Sequence, residues 1–345
     1  MKAVIWEGIN KLRYDESAPD PVCREDWVIV KVMSAGVCST DVHVITGQFQ
    51  NGEPPTILGH EICGVVTEVG SRVTTSRVGD RVVIETSISC GHCVYCETGN
   101  KHLCRESHEI GFTPYNGGYA QYVTAPASCL HKIPDNMSFD EGGILEACLC
   151  PFGAIYRFGM KAGETVLIQG VGAAGLSYIQ AVKCFSPAKI IAAARNPASL
   201  ELARQFGADV TINVKQEDLT TRVLEETGGK GADFSIDAAG APNTIENAVK
   251  LCAPGGRCLL YGLPAEDARI QFPVKDVIMK QLTVMGATNN QLAWDPLIQL
   301  VSSGKFNVKD MVSRVYRLDQ LEQALEVVKQ RPDGFIKAVI HPWDE

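Results

Sequence analysis

The sequence predicts an α/β protein in which a doubly wound parallel sheet is joined to an irregular, mainly antiparallel β domain. Three observations carry that prediction. From about residue 160 to 288, short and nearly continuous apolar runs alternate with helix-period segments, the pattern of parallel strands buried on both faces. The first 150 or so residues instead carry short β-branched runs broken by Gly, Pro, Asp and Ser, which read as antiparallel strands with long loops. A Gly-x-Gly-x-x-Gly sequence stands where the first of the apolar runs passes into a helical segment, the turn of a βαβ unit.

In chain order, the N-terminal strand runs are DWVIVKVM, CGVVTEVG, DRVVIE and GGYAQYVTAP. The parallel strands follow as TVLIQG (165–170), KIIAAA (189–194), DFSIDAAG (233–240), RCLLYG (257–262) and LTVMGAT (282–288). Between them lie the helical segments NPASLELARQFG and NTIENAVKLCAPGG, the second closing on Gly as helices often do. LTVMGAT is expected at the sheet edge. Beyond residue 290 come two further helical segments, DPLIQLVSSGKF and LDQLEQALEVVKQ, and a closing strand, IKAVIHP. The expected division is one domain of residues 1–154 and 289–345, with a loop lobe at about 86–106, and a second of residues 155–288.

Bulk properties narrow the function. The chain has 345 residues, long enough for two domains with real cores. At a net charge of −8 it shows no basic footprint for nucleic acid or an anionic membrane. No apolar run reaches the ~18 residues of a spanning helix, and MKAVIWEGIN does not read as a signal peptide. The expected compartment is the cytoplasm. There, thirteen cysteines point to metal ligation for some and inert buried thiols for the rest, not to a disulfide framework.

The segment SCGHCVYCETGNKHLCR sets Cys90, Cys93, Cys96 and Cys104 in a C-x2-C-x2-C-x7-C pattern. The Gly, His, Tyr and Glu between them belong to an exposed loop rather than a core. Zinc takes four thiolates tetrahedrally, and such a closed shell is structural. A redox-sensitive thiol cluster, an iron–sulfur cluster and a nucleic-acid-binding ribbon are the alternatives. The acidic charge opposes the last.

A second set is mixed. GVCSTDVH and ILGHEICGVV place Cys38, His60 and Glu61 in apolar surroundings. Sulfur, nitrogen and oxygen ligands with a vacant position make a catalytic zinc site. Its third ligand is Glu61 or Glu146. In GGILEACLCPFGAIY, Glu146 is the single charged residue, and a buried carboxylate without a partner costs several kcal/mol, about what a cation would relieve. Cys148 and Cys150, in the same run, are rival ligands.

Gly170, Gly172 and Gly175, with Ala173 and Ala174 between the last two, form the glycine motif of VLIQGVGAAGLSYIQAV. The first glycine allows the tight turn, the second admits a pyrophosphate, and the third packs helix on strand. The next strand ends in Ala194 followed by Arg195, where a binder of NAD usually places a carboxylate for the ribose. That substitution favours NADP over NAD.

Over essentially its full length the chain resembles the zinc-dependent medium-chain alcohol dehydrogenases, with GVCSTDVH, GHE, the four-cysteine lobe, GGYAQYV, GVGAAG and IKAVIHP in order. The resemblance implies a GroES-like catalytic domain, holding the catalytic zinc, split around a Rossmann coenzyme domain. It assigns Cys38 and His60 to that zinc with Glu61 beside them. Thr40 becomes the hydroxyl that meets the substrate oxygen, His43 the group that passes the proton to solvent, and Asp41 the carboxylate behind the zinc-binding histidine. Glu146 matches the ligand position typical of the sorbitol and threonine dehydrogenase branches. Two features depart from those branches: Ala147 and Gly153 stand where Pro and His are usual, and Thr288 and Asn289 stand where polyol dehydrogenases often carry Arg.

The resulting expectation is an oxidoreductase with two zinc ions per chain. It would move hydride between a secondary alcohol (a polyol, sugar alcohol or sugar acid) and NADP, or NAD, to give the ketone, and would work as a homodimer or homotetramer. The alternatives are an amino-alcohol or simple-alcohol dehydrogenase, a zinc-free reductase of the same superfamily, and a non-catalytic NADPH-binding structural or regulatory protein.

Overall fold

The computed structural model describes residues 1–265, 267–288 and 291–343, so Asn289 lies outside the described residues. Two compact units form: Met1–Leu149 with Gln291–Glu345, and Cys150–Asn290.

The first unit is built on a sheet ordered Val312–Arg317, Lys337–His341, Trp27–Val37, Glu61–Val69, Arg81–Ile84 and Leu130–Lys132, with Tyr122–Pro126 also pairing with Trp27–Val37. The central strand, WVIVKVMSAGV, is buried along most of its length. Its β-branched residues suit a pleated surface covered on both faces. Val28, Val30, Val32, Ile62, Val66, Val82 and Ile84 form the heart of this unit's core.

Register in this sheet positions the site. Glu61 pairs opposite Gly36, and on the other side Ala338 pairs opposite Val37 in the antiparallel sense. Side chains alternate along a strand, so Gly36, Cys38, Glu61 and Lys337 share one face at the end of the central strand. The chain then enters the helix Ser39–Ile45 directly after Cys38.

The second unit is a six-stranded parallel sheet ordered Val210–Asn213, Lys189–Ala194, Thr165–Gln169, Ala232–Asp237, Cys252–Leu260 and Thr283–Gly286. In sequence terms this is 3-2-1-4-5-6, the doubly wound dinucleotide-binding order. The last strand is at the edge, as the sequence predicts. The helix Pro197–Phe206 begins with Asn196, whose side chain accepts from the Ala198 N–H, and with Pro197 at its first position; it ends at Gly207, φ +117°. A polar N-cap, an N1 proline and a left-handed glycine are the expected punctuation.

Two expectations for this sheet change. The strand Val210–Asn213 was not among the predicted runs: it is short, half-exposed and polar at alternate positions, so it lacks the continuous apolar signature. The segment NTIENAVKLCAPGG is helical only over Pro242–Lys250, and a strand begins at Cys252. Pro254 and Gly255, with φ +72° at the latter, are poor in a helix interior, and Cys252 pairs with Ala232.

Candidate active site and metal centres

The sequence offers thiol, imidazole and carboxylate from two distant segments, and the sheet brings them together. Ligand atoms of Cys38, His60 and Glu61 all lie within 4.8 Å of one another. His60 and Glu61 are buried and Cys38 is half-buried. Asp41, fully buried, organises the set. Its carboxylate accepts from the Tyr119 hydroxyl at 2.6 Å and from the Cys38 backbone N–H at 3.2 Å, and it lies 3.2 Å from His60 Nδ1.

These contacts decide the electrostatics. Burial opposes a charge on His60, but the Asp41 carboxylate and the Cys38 sulfur outweigh it and hold the imidazole pKa well above its ordinary value. Burial likewise opposes a charge on Asp41, and His60 and the Tyr119 hydroxyl overcome it, so its carboxyl stays below the usual range. A thiol, an imidazole and a carboxylate whose ligand atoms converge within 4.8 Å, with a second carboxylate behind the imidazole, are a donor set for a divalent cation. The residues present therefore fit a zinc ion: Cys38, His60 and Glu61 would hold it, with Asp41 orienting the histidine from behind.

Glu61 has a partner that sequence reasoning did not single out. Lys337, buried on the last strand, donates to Glu61 Oε1 at 2.6 Å and to the Val37 carbonyl at 3.0 Å. Glu61 Oε2 is buried with no hydrogen-bond partner among the described residues. Tyr119 was also missed. Lys337 carried a usable signal, since it is a lone charge in an apolar run, the same isolation that picked out Glu146.

Glu146 occupies the first turn of the helix Leu145–Phe158. Burial pushes its carboxyl up to about 7, with His60 pulling it down and Glu61 adding to the rise. It senses the same cluster but is not in the set within 4.8 Å. Cys148 and Cys150 are outside that set too. Cys148 is buried with its Sγ 3.9 Å from the Met311 sulfur, the environment of a core thiol.

On the helix after Cys38, the Thr40 hydroxyl lies 3.5 Å from Cys38 Sγ. One turn on, His43 is exposed, with Nδ1 2.7 Å from Gln48 Oε1. Residues three apart share a helix face, so this pair can lead a proton from beside the cysteine outward to water. Thr288 is exposed.

The loop cysteines converge separately. Sulfur atoms of Cys90, Cys93, Cys96 and Cys104 lie within 4.8 Å of one another, with Cys90 to Cys96 at 3.9 Å and Cys93 to Cys96 at 3.5 Å. A tetrahedron with zinc–sulfur bonds of ~2.3 Å needs sulfurs about 3.8 Å apart. Burial pushes the Cys96 thiol up, but hydrogen bonds from Ser89, Cys93 and the Gly91 backbone bring it down to about 6. A thiol that ionises near neutral pH suits a metal ligand, while, against the His92 backbone, burial and the neighbouring Cys104 and Cys93 sulfurs push the Cys90 thiol up to about 11.

In the second unit, Gly170 ends the first parallel strand at φ +93°, a backbone region that favours glycine. Gly172 caps the helix Ala173–Lys183, whose first turn includes Ala174. A Cβ on Gly175 would collide with the Gly170 carbonyl, the close helix–strand packing expected of the third glycine. Ala194 closes the strand Lys189–Ala194. Arg195 is exposed, and no carboxylate pairs with it among the described residues.

Comparison with known proteins agrees with this arrangement. The model of the alcohol dehydrogenase GroES-like domain matches residues 24–135, and that of the zinc-binding dehydrogenases matches residues 170–303. Sorbitol dehydrogenase of Bacillus subtilis (strain 168) is 30% identical over 345 residues, covering 99% of this chain and 97% of its own length. Among solved structures, an oxidoreductase of unknown specificity from Escherichia coli is 32% identical with a TM-score of 0.93, and each chain is 99% covered. A zinc-binding dehydrogenase from Sinorhizobium meliloti 1021, bound to NADP, is 30% identical with a TM-score of 0.90, again covering 99% of each chain. The chain belongs to the zinc-type medium-chain alcohol and polyol dehydrogenase family.

Proposed function

We propose that this enzyme oxidises a secondary alcohol of the polyol, sugar-alcohol or sugar-acid class to its ketone, with NADP(H) as the preferred hydride carrier. The observation that carries the reading is the convergence of Cys38, His60 and Glu61 beside the Thr40 hydroxyl. Zinc, when bound there, supplies Lewis-acid polarisation of an alcohol or ketone oxygen. Thr40 accepts the proton of the substrate hydroxyl as it is lost. His43, with Gln48 on its Nδ1, delivers that proton to solvent. Asp41 and Tyr119 keep His60 in place. Glu146 completes the carboxylate side of the site, directly or through water. The lobe of Cys90, Cys93, Cys96 and Cys104 holds a second, structural zinc.

Cofactor preference rests on Ala194 and Arg195. No carboxylate stands at the ribose position to repel a 2′-phosphate, and the Arg195 guanidinium is available to bind one. Thirteen cysteines, serving as metal ligands and buried thiols, suit the reducing cytoplasm. Among the described residues no helix is long and apolar enough to cross a membrane.

The enzyme works as a homodimer or homotetramer. Ile278 and Met279 on the helix Val274–Met279 are 66% and 72% exposed. That apolar surface belongs to the same segment of chain as the edge strand Thr283–Gly286, and exposed edges are usually paired or covered. A monomer in light scattering at micromolar concentration would contradict it.

The deciding experiment measures kcat/KM for polyols, sugar acids, amino alcohols and simple alcohols, each with NADP and with NAD. Highest turnover on a polyhydroxy substrate is expected. Turnover confined to amino alcohols or simple alcohols would overturn the substrate class, and no turnover with zinc-loaded protein would overturn the mechanism.

A further inference from the structure

We propose that Lys337 is a positioning residue for the catalytic metal, one that restricts Glu61 to a single weak ligand oxygen. This rests on the reading of Cys38, His60 and Glu61 as zinc ligands.

The geometry is unusual for a lysine. Its side chain is about 6% exposed and that of Glu61 is wholly buried, although burying an ammonium group is costly unless it is paired and fully hydrogen-bonded. Lys337 is paired with one carboxylate and uses two of its three donors, on Glu61 Oε1 and the Val37 carbonyl, at 2.6 and 3.0 Å. The second acceptor belongs to the residue just before Cys38, so the ammonium is fixed to the backbone that carries the thiolate. Glu61 is thereby divided: Oε1 is taken by Lys337, and Oε2 has no hydrogen-bond partner among the described residues.

Two consequences follow from charge and valence. A carboxylate with both oxygens free can close on a divalent ion through two atoms, filling the position a substrate oxygen needs. Pinned at Oε1, Glu61 has one oxygen to offer. Cys38 and Glu61 together carry two negative charges, enough to neutralise a divalent ion. The Lys337 charge offsets one of them, which makes the site less negative than its ligands and Asp41 alone would, hence more strongly polarising, and it weakens the hold on the ion itself. Lys337 thus trades metal retention for an open, electrophilic site.

Metal release tests this in the full-length protein. Zinc loss to a chelator should occur in two phases, and the four-cysteine phase serves as an internal control. Lys337→Met should slow the other phase ten-fold or more. After cobalt substitution it should also shift and weaken the visible d–d bands, as the second carboxylate oxygen enters. Lys337→Arg keeps a cation that can donate to Oε1, and should match wild type in both measurements. Should Lys337→Met not fold, Lys337→Gln keeps a donor without the charge and should still slow release. Release at the wild-type rate or faster in both neutral variants, with unchanged cobalt bands, would overturn the role of Lys337 alone. Wild-type protein that binds only one zinc, at the four cysteines, would overturn both this inference and the functional reading.

Discussion

Gly36→Ala is the sharpest probe of how the site is built. Gly36 has an ordinary extended backbone in the central strand, so only space restricts its side chain. A methyl group there would collide with Glu61 Oε2, and would lie 2.6 Å from the Gly143 carbonyl oxygen and 2.9 Å from Glu61 Cβ. The carbonyl is backbone and cannot swing aside. The carboxylate cannot move freely either, because Oε1 is held by Lys337 at 2.6 Å. Overpacking a close-packed interior costs about 1–3 kcal/mol. If the carboxylate is driven off the lysine, two buried charges are stranded, at about 3–5 kcal/mol. With the carboxylate displaced, the expected loss is about 4–8 kcal/mol, together with depletion of zinc from two towards one per chain. Urea denaturation gives the first number and elemental analysis of purified protein gives the second. A Gly36→Ala protein with wild-type midpoint and two zinc ions would refute the crowding on which this rests.

Cys93→Ser should lower solubility and thermal stability and remove one zinc. Cys38→Ser should leave the fold intact and abolish turnover, which circular dichroism and a rate assay separate. Glu146→Gln should cut zinc occupancy or turnover about ten-fold or more, in the range of groups that support a metal site. An unchanged variant would place Glu146 outside the chemistry. Arg195→Ala should weaken NADPH selectively by about 1.5–3 kcal/mol, the worth of a hydrogen bond to a charged group, measured as kcat/KM for both cofactors. An equal effect on NADH would make Arg195 a general contact rather than a phosphate reader.

What could be read from the sequence follows from how local each signal is. The strands Thr165–Gln169 and Lys189–Ala194 announce themselves as unbroken apolar runs. The four cysteines lie within fifteen positions, and the glycine motif is a single turn, so both are visible without a fold. The strand Val210–Asn213 was hidden because an edge position tolerates polar residues. The false helical tail at 252–256 came from reading a closing Gly pair as a cap when it bends a strand. The pairings of Tyr119 and Lys337 were hidden for a different reason. Their partners Asp41 and Glu61 lie 78 and 276 positions away, and only sheet register joins them. One slip in register would turn Lys337 to the opposite face, and no local pattern specifies that register.

The same register has a consequence in time. Cys38, His60 and Glu61 leave the ribosome early, whereas the lysine that pairs with Glu61 follows 276 residues later. At the usual rate of synthesis, 5–20 residues per second, the carboxylate waits roughly 14–55 s for its partner. The parallel sheet of the second unit is synthesised within that interval and can fold during it, while the unit begun first stands open. Until the strand Lys337–His341 docks, Glu61 has both oxygens free and the nascent site can take up a metal ion with no competing ammonium.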